Sequence, residues 1–162
     1  VVAGTHVSWG GSRLATREVI ESFQRAPGEV ARARRTTAAA LRSWGFDGEL
    51  PAIELAVSEL VAHAVRGNGA DEADGPGAAP AGDGLAEMRL SADGDTIRLE
   101  VIDPSGGIAA LRRAAPSPGR ESRGGWGLWF VDEVADDWGV DHRPGRTRVW
   151  LVRHCNPGTT PA

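Results

Sequence analysis

In Thr96-Ile97-Arg98-Leu99-Glu100-Val101-Ile102-Asp103-Pro104-Ser105-Gly106-Gly107, apolar and polar side chains alternate as far as Val101, and an Asp then precedes a proline and a glycine pair. A period of two is that of a half-buried strand, which puts Ile97, Leu99 and Val101 on the covered face. Asp103 therefore stands where a strand meets its next connection. Residues 86–91 form a second such segment, and Asp93-Gly94 between the two predicts a β-hairpin. A carboxylate at a strand end can accept from a donor on a ligand, while following glycines let backbone N–H groups approach an anion. The plainer reading of Asp103 before Pro104 is a turn or capping residue.

Two further segments extend this pattern. Pro51 opens a helix in which Ile53, Val57, Leu60, Val61 and Ala64 recur at three and four residues as a core stripe, with Glu59, His63 and Arg66 on another flank. The i, i+4 spacing stacks Glu59 and His63 so that both can address one ligand. Gly124-Gly125-Trp126-Gly127-Leu128 opens a later helix carrying Leu128, Val131, Val134 and Ala135 and expected to end near Trp138-Gly139. A helix start of this kind favours phosphate. It is not a dinucleotide fingerprint, because Phe130 stands where the third glycine belongs and no strand precedes it.

Between these segments, Pro27 leads into a helix over 28–44 that Gly45 stops, and Thr147-Arg148-Val149-Trp150-Leu151-Val152 forms a last strand. Residues 67–85 are too rich in Gly, Ala, Pro and Asp to pack and read as a mobile loop. From Gly106 to Gly125, the prolines and Arg112, Arg113, Arg120 and Arg123 suggest a lid, with Arg120 and Arg123 placed to reach phosphate oxygens. Residues 1–26 read as an extension or an edge element. The domain expected is 23–154, between an extension over 1–22 and a tail over 155–162.

With 162 residues, 41% hydrophobic and 25% charged, the chain suits one domain with a real core. A net charge of -4 provides no general field for nucleic acid or anionic membrane. Cys155 is the single cysteine, no apolar run is long enough to span a bilayer, and a reducing cytoplasm is the expected compartment. Lysine is absent, which excludes a P-loop of the G-x-x-x-x-G-K-[ST] kind.

Across roughly 23–152, the series Leu41-Arg42-Ser43-Trp44-Gly45, Ser58-Glu59-Leu60-Val61, Val101-Ile102-Asp103, Gly125-Trp126-Gly127-Leu128, Ala135-Asp136-Asp137-Trp138-Gly139-Val140 and Gly145-Arg146-Thr147 resembles the anti-sigma-factor serine kinases and their relatives among the histidine-kinase-like (Bergerat-type, GHKL) ATPases. The resemblance implies an α/β two-layer sandwich, a mixed sheet with helices on one face and ATP held between helices and lid. It casts Glu59 as the carboxylate that polarises the attacking hydroxyl or water and Asp103 as the acceptor of the adenine amino group. Gly107 fits the later glycine of a D-x-G-x-G pattern, with Ser105 in place of the first. Gly125, Gly127 and the adjoining Leu128 fall on the phosphate side, and Thr147 helps hold the adenine end. The family usually has Asn where this chain has His63. That amide oxygen serves Mg²⁺, a hard ion for which imidazole nitrogen is a softer and bulkier ligand.

Each residue also has a structural reading: Glu59 as a solvated helix carboxylate, His63 as a hydrogen-bonded pocket residue, the lid arginines as solubilising charge, and Trp126, Trp129, Trp138 and Trp150 as core or interface. Three function classes follow. In the first, an ATP-binding regulator phosphorylates a Ser or Thr of an anti-anti-sigma protein and sequesters a sigma factor. In the second, the fold persists as a catalytically degenerate nucleotide- or protein-binding module. The third is the catalytic fragment of a sensor histidine kinase, for which neither His6 nor His63 has the phospho-acceptor context. The oligomeric state, a homodimer included, is open.

Overall fold

Around the Asp93-Gly94 hairpin the chain builds one five-stranded sheet, seen in a computed structural model that describes residues 16–24, 26, 28–66, 85–104 and 126–155, with the backbone alone at 126–129. The strands are β1 (Arg17–Phe23), β2 (Ala86–Asp93), β3 (Thr96–Asp103), β4 (Asp137–Arg143) and β5 (Arg146–His154), in the spatial order β1-β2-β3-β5-β4. The helices are α1 (Glu29–Trp44), α2 (Leu50–Arg66) and α3 (Trp126–Val134). All of the expected loop over 67–85 except Leu85, and the whole of the expected lid over 106–125, lie outside the described residues, as do residues 1–15.

The helices cover one face of the sheet, as the two-layer reading requires. α2 packs between α1 and α3 and rests on β2 and β3. Its expected stripe of Ile53, Val57, Leu60, Val61 and Ala64 is buried, joined by Ala56, against Met88, Leu90, Ile97, Leu99, Val101, Val149 and Leu151 of the sheet. Each large side chain fully buried here contributes about 1.5–3 kcal/mol. Every neighbouring strand pair is antiparallel, whereas the resemblance implied a mixed sheet. The reason is the insertion of β5: it folds back from β4 and pairs with β3, so the two strands joined across α3 point the same way without touching.

Local chemistry explains the boundaries. α1 stops as expected at Gly45, whose φ of 84° suits a residue without Cβ. Gly45 N–H donates to Arg42 at 3.1 Å and Phe46 N–H to Leu41 at 2.9 Å, which satisfies two carbonyls at the helix end in a Schellman motif. The β2–β3 turn is Gly94-Asp95, one residue later than Asp93-Gly94, with positive φ at Gly94. β4 and β5 join through Pro144-Gly145, where proline fixes the first central position and Gly145 takes φ 68° at the second.

One boundary changes, and one pair of alternatives is decided. α3 ends at Val134, and Trp138-Gly139, placed near its end by the sequence reading, lies in β4. Residues 17–23 form the edge strand β1, the second of the two readings given to that region.

Candidate functional site

Asp103 is the last residue of β3, and its carboxylate lies on the helix-facing side with no exposure to solvent. β5 sets Thr147 directly opposite, 3% exposed, and β4 sets His142 opposite Thr147. Directly paired residues share a face of the sheet. The three side chains therefore form one row across β3, β5 and β4. Thr147 Oγ1 lies 3.4 Å from His142 Nδ1, so the imidazole bears on the direction of the hydroxyl proton. A buried carboxylate beside a hydroxyl, at the end of a sheet, suits a neutral ligand edge that donates a hydrogen bond.

Glu59 and His63 occupy the layer above, on α2 where it rests on the sheet. Both are half-buried at one border of the buried stripe, one turn apart. Ser58, beside Glu59, donates its hydroxyl to the Glu54 carbonyl at 2.7 Å and is thereby committed to the helix backbone. Gly127 and Leu128 lie in the first turn of α3. Ser105, Gly107, Arg120, Arg123 and Gly125 lie outside the described residues. The structure thus makes Asp103 and Thr147 neighbours across β3 and β5 and keeps Glu59 with His63 on a packed helix.

His142 is the member of this row that the sequence reading missed. The signal available was the Pro144-Gly145 pair between two short segments, which marks a hairpin and so a strand before Thr147. A hollow of about 410 Å³ between α1 and α2, walled by Arg34, Arg35 and Arg42, contains none of the expected site residues. Among the described residues, no three of His, Cys, Asp and Glu gather as a metal site, and no helix is long and apolar enough to cross a membrane.

The family model of the histidine kinase-like ATPase domain matches residues 23–153. Among solved structures, the crystal structure of the RsbU and RsbW domains of Rv1364c from Mycobacterium tuberculosis is similar with a TM-score of 0.59 at 20% identity. The alignment covers 86% of this chain and 33% of that one, so the chain spans about a third of that solved chain's length and the likeness is one of fold. No curated protein matches the chain.

Proposed function

Because the chain belongs to the histidine kinase-like ATPase domain family, we propose that it is a cytoplasmic ATP-binding regulator of the anti-sigma-factor serine/threonine kinase type, switching between a sigma factor and an anti-anti-sigma protein. The observation that carries this reading is the buried pair of Asp103 and Thr147, where β3 ends and β5 begins. In a site shielded from water, a carboxylate facing an amino donor discriminates strongly, because the wrong base edge leaves that acceptor unpaired. Asp103 accepts from the adenine amino group, and the Thr147 hydroxyl completes the base end. Ser105 and Gly107 follow it in the chain, and Arg123, Gly125, Gly127 and Leu128 take the phosphate side.

When bound, ATP supplies a phosphoryl group that can be transferred. Glu59 would polarise the Ser or Thr hydroxyl of the protein substrate, the role of a carboxylate brought within hydrogen-bond reach of that proton. The donor set fits Mg²⁺ poorly: His63 presents a ring nitrogen where the family offers an amide oxygen. That same residue favours a second reading, a catalytically degenerate module that keeps nucleotide or partner binding without transfer.

Calorimetric titration of ATP with and without Mg²⁺, followed by a phosphotransfer assay on an anti-anti-sigma substrate, tests both. Saturable ATP binding is expected. Its absence would overturn the nucleotide reading, and binding without transfer selects the degenerate module.

A further inference from the structure

The face of the sheet turned away from the helices carries a cluster of arginines that the nucleotide site leaves unused. Register places Ile102, Arg148 and Asp141 in one row on this face, Arg89 and Glu100 in the next, and Arg143 opposite Arg146 beside the Pro144-Gly145 turn. Together they line a hollow of about 210 Å³. Ile102, 5% exposed, is its apolar floor. Four guanidiniums stand there against two carboxylates.

Most charges on this face are paired. Arg148 is held by Asp141 and, at 3.3 Å, by Glu100, and Arg89 is held by Glu87 at 2.6 Å. Arg143 and Arg146 differ. Both are exposed, they face each other as Cα partners, and among the described residues neither has an ion pair. Like charges directly opposite in a sheet are destabilising. An anion held between them removes that repulsion.

We propose that this hollow docks a phosphorylated Ser or Thr side chain of a partner protein. Each guanidinium is a planar fork that binds two oxygens. A carboxylate has two oxygens and is satisfied by one fork, whereas a phosphomonoester dianion has three terminal oxygens and engages Arg143 and Arg146 together. The hollow is smaller than the roughly 300–1,000 Å³ of pockets that enclose a whole small molecule. One anionic group therefore enters, while the rest of the ligand stays on the open sheet face. Because Ile102 and Asp103 alternate to opposite faces of β3, the site is separate from the nucleotide site and stands without it.

The test titrates a short peptide bearing one phosphoserine, its unphosphorylated twin and inorganic phosphate into the whole chain at fixed ionic strength. The phosphopeptide is expected to bind about tenfold or more tighter than its twin, and R143Q/R146Q to lose about tenfold or more of that affinity. The double variant should melt no lower than wild type, since the like-charge contact has gone. R143K/R146K keeps the charge without the forks and should bind at an intermediate level. Equal affinity for the two peptides, or wild-type affinity in R143Q/R146Q, would overturn the proposal. Inorganic phosphate binding as tightly as the phosphopeptide would overturn the protein ligand in favour of a free anion.

Discussion

Replacing Asp103 by Asn preserves volume but substitutes an amide N–H₂ for one acceptor oxygen, and Asp103→Ala removes the acceptor altogether. On the proposed reading, Asp103→Ala leaves the adenine amino group without its acceptor in a buried site and weakens ATP binding by about 1–3 kcal/mol, while Asp103→Asn exchanges a charged acceptor for a neutral one and weakens it less. Calorimetry showing unchanged affinity in both variants would take Asp103 out of the site. The strand positions of Asp103 and Thr147 were legible in the sequence from its apolar alternation, while the roles proposed for them came from the resemblance. The place of His142 beside Thr147 was not legible, because it follows from the register of β4 against β5. Cys155 offers a second residue-scale test. Burial, with Glu49 next in effect, pushes its thiol up from 9.0 to about 11. Between those values the unfolded chain loses its thiol proton while the folded chain keeps it, so stability falls as pH rises through that window, by up to about 2 kcal/mol. Urea unfolding at pH 8 and pH 11 should show this loss in wild type beyond that in Cys155→Ala. Equal pH dependence in both would remove the thiol as its cause.

Among the elements, the strands with a clean alternation were legible and the edges were not. β2, β3 and β5 each bury every second residue, and β4 has no fully buried residue at all. An edge strand needs only half the burial that writes a period of two into sequence, and β1 carries the same weak signal. Gly139 in β4 shows what fixes this edge instead. A Cβ built there would lie 2.8 Å from Trp150 Cζ2, so the indole lies across the glycine, with Arg98 on the ring at 4.9 Å from its centroid. Gly139→Ala must displace the ring and should cost about 1–3 kcal/mol. The cost should largely vanish in a Trp150→Ala background, where the space is already open, and a double-mutant cycle reads that coupling. Additive effects would mean that the ring contact does not hold β4.

On the scale of the molecule, the helix-covered sheet was readable from the hydrophobic periods, and the wholly antiparallel pairing was not, because insertion of β5 between β3 and β4 is a long-range choice that no local period records. The same layering buries Asp103 and Thr147 on the helix-covered face of the sheet, so on the proposed reading nucleotide binding and global stability are linked. A ligand that binds only the folded state stabilises it by RT ln(1 + [L]/Kd), about 2.7 kcal/mol at a hundredfold excess over Kd. ATP should therefore raise Tm in wild type. If His63 replaces an amide oxygen poorly on Mg²⁺, adding the ion should increase that shift little, because the free energy of ion coordination is then absent from the linkage. His63→Asn should make the shift depend on Mg²⁺ and bring phosphotransfer with it, and Glu59→Ala in that background should abolish transfer while sparing the ATP-induced rise, since a group acting on the attacking hydroxyl contributes little to ground-state affinity. A large Mg²⁺-dependent shift with robust transfer in the unaltered chain would refute the degenerate site and make Glu59 catalytic as the chain stands.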